Sequence, residues 1–188
     1  MESPWDAYQS GLTLRDYQRK ALARYGHTRK NQQSFYLVAP PGSGKTILGL
    51  EMAQRENASA VCFSPNAAIQ MQWLARLKEN WVCVDDALGD FQPHPICGDE
   101  VTDPDQVLIS LTYQRISVRD KEGKPHPNVL RLFEALKAAN IKTVILDECH
   151  HLSAVWGRAV QSLCEYLDAP CVIGLTATPV IQEEGPLN

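Results

Sequence analysis

Short apolar runs punctuate this chain, and between them the apolar residues spread out to helical spacing. The runs are Phe35-Tyr36-Leu37-Val38, Ala60-Val61-Cys62-Phe63-Ser64, Val107-Leu108-Ile109-Ser110-Leu111, Thr143-Val144-Ile145-Leu146 and Cys171-Val172-Ile173-Gly174-Leu175. They are continuously apolar instead of alternating, which predicts strands buried on both faces. Helical patterns predict segments at 14–25, from the residues after 46 to about 56, and at 67–80, 129–139 and 154–167. In the first, Leu14, Tyr17, Ala21, Leu22 and Tyr25 share one face, and Arg15, Arg19, Lys20 and Arg24 lie largely on the other. Asn66 is placed to cap the helix at 67–80. Residues 85–105 are acidic and rich in Pro and Gly, so they read as a long irregular connection. Residues 115–128 hold many charges, one Gly and two Pro, and read as a mobile loop. Arg115, Arg119, Lys121 and Lys124 there, with Arg131 just beyond, are either solvated or in contact with phosphates. Strands alternating with helices give an α/β fold, a mostly parallel sheet with helices on both faces. Such sheets bind ligands at the carboxyl ends of their strands.

Composition narrows this only slightly. The 188 residues suffice for one well-buried domain, and 44% hydrophobic with 21% charged residues is ordinary for a globular protein. No apolar run approaches the roughly 18 residues of a membrane span, and the start shows no secretory signal. The expected location is therefore intracellular, in the cytoplasm, nucleoid or nucleus, with no membrane partner. Net charge is −4, a weak guide when one face alone makes contact. Cys62, Cys83, Cys97, Cys149, Cys164 and Cys171 form no C-x-x-C pair and read as reduced thiols, three of them in or beside apolar strands.

The chemistry gathers at three strand ends. After the first predicted strand comes Ala39-Pro40-Pro41-Gly42-Ser43-Gly44-Lys45-Thr46, a phosphate loop of Walker A spacing with Ala39 in the first glycine's place. Gly42 and Gly44 let backbone N–H groups turn inward around an anion, flanked by Pro41 and Ser43. Lys45 reaches the β- and γ-phosphates of ATP, and the Thr46 hydroxyl can ligate Mg²⁺. The following helix aims its positive end at the same anion. After the fourth strand comes Asp147-Glu148-Cys149-His150-His151. Asp147 is placed to hold Mg²⁺ and Glu148 to orient and polarise the attacking water. Adjacent histidines point in different directions, so a capping or network role is expected for them over zinc. After the fifth strand, Thr176-Ala177-Thr178 offers two hydroxyls to neighbouring loops or a phosphate.

Together these segments resemble motifs I, II and III of superfamily 2 helicases and translocases, the DEAD/DEAH-box and restriction-enzyme motor group, with motif II in a DECH form. Leu14-Arg15-Asp16-Tyr17-Gln18 is similar to that family's adenine-reading segment. Ser64-Pro65 through Gln72-Trp73 resembles motif Ia, and Leu111-Thr112-Tyr113-Gln114 resembles motif Ib. The likeness covers roughly residues 12–180. It implies a RecA-like P-loop NTPase domain: an N-terminal segment over 1–33, a core over 34–180, and a tail over 181–188. It implies that Gln18, with Arg15, bonds adenine and that His150, Thr176 and Thr178 couple the ATP site to a nucleic-acid site. Pro65, Gln72, Thr112 and Gln114 would meet a nucleic-acid backbone, with little sequence specificity. Trp73 is expected in the core.

The family carries a second RecA-like domain with an arginine that stabilises the transferring phosphate. Asn188 comes nine residues after Pro179, so that domain is expected downstream. Arginine fingers contribute on the order of 10³–10⁵ in rate, so this chain alone is expected to bind ATP and turn it over poorly. The resemblance favours DNA motors over RNA unwinders. The alternatives are an RNA helicase domain, a nucleotide-dependent binding module and a small kinase. The kinase lacks a lid-like arginine cluster in the sequence.

Overall fold

The computed structural model describes residues 4–83, 97–101 and 106–178. In chain order these form β1 (Tyr8–Ser10), α1 (Asp16–Thr28), β2 (Ser34–Val38), α2 (Lys45–Arg55), β3 (Ala60–Ser64), α3 (Ala67–Asn80) and β4 (Trp81–Cys83). Then follow β5 (Cys97–Gly98), β6 (Leu108–Thr112), α4 (Gln114–Ser117), α5 (Pro127–Ala138), β7 (Thr143–Leu146), a 3-10 turn (Cys149–His151), α6 (Ala154–Tyr166) and β8 (Cys171–Thr176). β2, β8, β7, β3, β6 and β5 make one parallel sheet in that order.

Alternation along each strand divides the core in two. Ala60, Cys62, Ile145, Ile173 and Leu175 face α1, α2 and α3, through Leu22, Leu50, Trp73 and Leu77. Val61, Phe63, Val144 and Leu146 face the other way, onto Tyr113, Phe133, Ala159 and Leu163 of the α4–α6 side. Fully burying a side chain of this size is worth about 1.5–3 kcal/mol, which explains why both strand faces are apolar. Local chemistry sets the helix starts. Asn66 Oδ1 accepts the Ile69 N–H at 3.0 Å, as its position predicted. Pro127 occupies the first turn of α5, and Ser153 Oγ accepts the Trp156 N–H at 3.3 Å at the start of α6.

Several expectations change. The predicted mobile loop 115–128 is folded: α4 is followed by an antiparallel bridge between Arg119 and Pro125, closed by Asp120. Asp120 Oδ1 accepts the N–H groups of Glu122 and Lys124, both at 2.9 Å, and Gly123 takes the left-handed backbone at φ 78°. The irregular connection 85–105 lies mostly outside the described residues, and its described part contains β5. The tail 181–188 lies wholly outside them. β1 and β4 form an antiparallel pair that three-residue strands are too short to announce. Burial on α1 falls on Gln18, Leu22 and Tyr25, while Tyr17 stays 41% exposed. β2 borders the sheet, so Tyr36 is 59% exposed and only partly covered, unlike the inner strands. Among the described residues no helix is long and apolar enough to cross a membrane.

Two outcomes follow from this packing. A Cβ on Gly49 of α2 would sit 2.6 Å from the Trp73 ring and 2.9 Å from Leu175. Gly49→Ala gains about 1 kcal/mol of helix propensity but loses roughly 1–3 kcal/mol to overpacking. Urea denaturation should show net destabilisation, and a more stable variant would refute the close contact. Cys97 and Cys149 are buried free thiols, and burial pushes each from its ordinary 9.0 up to about 11. Both should resist iodoacetamide at neutral pH until the chain unfolds, read by peptide mass mapping. Because the folded value is the raised one, the stability tied to these neutral thiols is fully present below 9.0. It is lost as pH climbs through about 11.

Candidate nucleotide site

β2 ends at Val38, and Ala39 donates its N–H to the Thr176 carbonyl at 3.0 Å, which pins the loop's entry to the end of β8. Gly42 at φ 74° and Gly44 at φ 82° then turn the chain through the left-handed region, where side chains are strained. A Cβ at Gly44 would also meet Gln18 Nε2 at 2.7 Å. Helix α2 begins immediately at Lys45, so its first N–H groups open onto the loop. Lys45 Nζ donates to the Ala39 carbonyl at 3.2 Å and lies 3.8 Å from Glu148 Oε1. Thr46 joins Gly42, Gly44, Lys45, Asp147 and Glu148 around a cavity of about 390 Å³. Pro41 is exposed on the loop, and Ser43 Oγ is buried with no hydrogen-bond partner.

Asp147 is 6% exposed at the end of β7. Its N–H goes to the Phe63 carbonyl at 2.9 Å, continuing the sheet by one residue. Trp73 Nε1 donates to Oδ2 at 2.6 Å, the Glu148 N–H donates to Oδ1 at 2.9 Å, and the Tyr113 hydroxyl donates to the Asp147 carbonyl at 2.9 Å. Burial pushes this carboxyl above its ordinary value. The Trp73 N–H is the main opposing influence, the Glu148 charge adds to the rise, and the Glu148 N–H and Lys45 pull it back.

Glu148 sits in the left-handed region at φ 47° and ψ 45°, a conformation that costs a non-glycine residue about 1–3 kcal/mol. The kink swings its carboxylate beside Lys45 and feeds the chain into the 3-10 turn. Glu148 Oε2 lies 3.3 Å from His150 Nδ1 and is buried without a hydrogen bond. His150 Nδ1 is in turn 2.8 Å from Thr176 Oγ1. The Thr176 hydroxyl gives its proton to the Thr178 carbonyl at 2.9 Å and accepts the Thr178 N–H at 3.2 Å. A continuous polar chain thus runs Lys45, Glu148, His150, Thr176, Thr178, through all three strand-end segments. The rings of His150 and His151 pack together at 4.0 Å between centroids instead of pointing apart, which corrects the sequence expectation.

Gln18 is 6% exposed on α1. Its Oε1 accepts the Arg15 N–H at 2.9 Å, and its Nε2 reaches the Ser43 carbonyl at 3.5 Å. The Tyr17 hydroxyl donates to the same carbonyl. A second cavity of about 260 Å³ lies between Leu12, Arg15 and Gln18 on one side and Gly42, Ser43 and Gly44 on the other. It shares Leu12, Gly42, Gly44 and Ile47 with the phosphate-side cavity. Its place beside Gln18 suits an aromatic base, with phosphates beyond the glycines.

The four residues expected at a nucleic-acid face are not all together. Pro65 and Thr112 end adjacent strands, since Ser64 pairs with Thr112, and the Gln114 amide donates to the Pro65 carbonyl at 3.3 Å. Gln72 instead lines the phosphate-side cavity, with Arg76 one turn further along α3. Arg76, Tyr17 and Tyr113 were missed as site residues in the sequence. Arg76 had a legible signal, four residues after Gln72 on the same helical face.

The family described as "Type III restriction enzyme, res subunit" matches residues 11–181. The XPB2 helicase/translocase subunit of general transcription and DNA repair factor IIH from Arabidopsis thaliana is 28% identical over 171 residues, 90% of this chain and 21% of that protein. The DNA 3'-5' helicase XPB of Mycobacterium tuberculosis is 30% identical over 182 residues, 97% of this chain and 29% of that protein. The chain therefore spans less than a third of the length of these relatives. The UvsW helicase of bacteriophage T4 shares the fold at a TM-score of 0.57 and 18% identity, over 95% of this chain and 56% of that one. With a glycine-turned phosphate loop, an Asp-Glu pair whose Asp is buried and a Thr-x-Thr turn joined at one end of the sheet, the chain belongs to the Type III restriction enzyme res-subunit family and has the first RecA-like domain of superfamily 2 helicases.

Proposed function

We propose that this chain is the nucleotide-gripping domain of an ATP-driven DNA translocase or helicase, working with a second RecA-like domain. The observation that carries the reading is the unbroken polar chain from Lys45 through Glu148 and His150 to Thr176. A lysine and a carboxylate flank the phosphate cavity, and a histidine and a hydroxyl tie that cavity to the neighbouring strand end. The residues present fit Mg²⁺ and a triphosphate: two glycines leave room, while Ser43 Oγ and Glu148 Oε2 are buried polar atoms without a hydrogen bond, the latter 3.3 Å from His150 Nδ1. Thr46 and Asp147 would hold the cation, an oxygen pair suited to Mg²⁺. When bound, Mg²⁺ neutralises phosphate charge while ATP supplies the bond to be cleaved. Lys45 would move from Ala39 and Glu148 to the phosphates. Its release frees Glu148 Oε1, so that the carboxylate can orient and polarise a water. Gln18 and Arg15 would face adenine. Pro65, Thr112 and Gln114 offer backbone-directed contacts that do not read bases, and Gln72 would join them only by spanning toward the cavity. The relatives' names favour DNA over RNA as the substrate.

Calorimetric titration with ATP tests the site. The wild-type chain should bind, and Lys45→Ala should lose at least about tenfold in affinity, the worth of a hydrogen bond to a charged group. Absence of ATP binding by the wild type would overturn the reading. In a protein joining this chain to a second RecA-like domain, Glu148→Gln should retain ATP binding and lose DNA-stimulated hydrolysis. Unchanged turnover would remove Glu148 from its role. Binding of that protein to single-stranded DNA should weaken with salt at a log–log slope of roughly −0.7 per phosphate contacted, whatever the sequence.

A further inference from the structure

Two buried aromatic residues grip Asp147, and neither comes from the phosphate loop or from its own strand. Trp73, 0% exposed on α3, donates its only N–H to Oδ2 at 2.6 Å. Tyr113, after β6, donates its hydroxyl to the Asp147 carbonyl at 2.9 Å. Each stands beside a residue expected to meet nucleic acid: Trp73 follows Gln72, and Tyr113 lies between Thr112 and Gln114.

We infer that Trp73 is a positioning residue that fixes the cation-holding carboxylate of Asp147 and links it to the helix α3, with Tyr113 as the second grip. The inference rests on the reading of Asp147 as the Mg²⁺ carboxylate. Its geometry leaves little freedom. Asp147 Oδ1 is held by the Glu148 N–H and Oδ2 by the indole, so the carboxylate plane is set from both oxygens. Each oxygen keeps a further acceptor site for a cation. The indole is fully buried and packs so closely on Gly49 of α2 that a Cβ there would be 2.6 Å from the ring. Tyr113 stacks on Phe63 at 6.1 Å and on Trp156 at 5.1 Å between centroids, which locks its ring from both sides. A packing tryptophan needs only some acceptor for its N–H. This one is spent on a buried carboxylate in a charge-assisted bond, where it decides the orientation of a metal ligand. A shift of α3 therefore moves the indole against Asp147.

The test is the Mg²⁺ dependence of ATP affinity in the full chain. Trp73→Phe removes the donor together with the part of the ring nearest Gly49, and comparing Mg²⁺ with EDTA separates loss of the bond from loss of packing. Affinity in Mg²⁺ should fall about tenfold, the usual scale for losing a group that orients a metal ligand, and affinity in EDTA should be unchanged. Tyr113→Phe should show a smaller loss of the same Mg²⁺-selective kind. If Trp73→Phe keeps the wild-type Mg²⁺ dependence, or loses affinity equally in both conditions, Trp73 is a packing residue and the inference fails. A wild-type measurement covers the case of a variant that does not fold. The indole ¹⁵N–H resonance of Trp73 should shift with ATP in Mg²⁺ and stay in place with ATP in EDTA; an identical response in both overturns the inference. ATP binding that ignores these changes sinks the inference alone, whereas a wild type that binds no ATP takes down the site reading as well.

Discussion

Parallel register is the constraint on which the rest depends. Val38 pairs with Thr176, Leu146 with Gly174 and Phe63, and Ser64 with Thr112. Five strands therefore run out at the same end of the sheet, staggered so that Asp147 lies level with Ser64 and Leu175. Ala39, Asp147, Pro65, Tyr113 and Ala177 follow the five strand ends, and the segments with distinctive chemistry gather there. A one-residue slip would invert each strand's two faces, so the apolar matching to the helices on both sides also fixes the site. The same packing that holds the fold aims the chemistry.

Placing a carboxylate at such an edge has a cost. Asp147 is almost withdrawn from water, and burial alone would favour its neutral form. An indole, a backbone N–H and the Lys45 charge offset this, while the Tyr113 hydroxyl holds the backbone carbonyl. Glu148 is arranged differently. It is held by backbone strain in the left-handed region, and one of its oxygens is left without a donor. The first carboxylate is thus immobilised by its neighbours and the second is left with unmet demand. Under the proposed function, this difference suits the first to holding a cation and the second to acting on water.

Much of this was legible from residue order. The strand runs, the glycine loop, the Asp-Glu pair and the Thr-x-Thr turn are local patterns, and α3 appears over the predicted span because Asn66 marks its start. What escaped was set by contacts distant in sequence. The β1–β4 pair joins residues far apart, with neither strand long enough to show a period. Segment 115–128 looked mobile because charge and proline dominate its composition, yet a single Asp120 side chain satisfies two backbone N–H groups and closes the turn. The burial of Gln18 is not legible locally either, since it comes from the phosphate loop folding over it. Periodicity cannot register a partner that arrives from elsewhere in the chain.

Trp73 shows most clearly where pattern reading stops. Helical spacing placed it in the core, and it is there, fully buried beside Leu74 and Leu77. By apolar area a phenylalanine or leucine would serve nearly as well. The indole differs in having one donor, and a buried donor without an acceptor is costly, so its position is fixed by whatever accepts it. Here the acceptor is the carboxylate of β7, while the far edge of the ring rests on the one residue of α2 that has no side chain. Gly49, Trp73 and Asp147 therefore form one fitted unit across three elements. In a close-packed interior such a unit shifts as a body or stays put, because its neighbours leave no slack to absorb partial motion. The helix that bears Gln72 and Arg76 and the strand that bears Asp147 are mechanically one piece at this point, although nothing in their separate sequences says so.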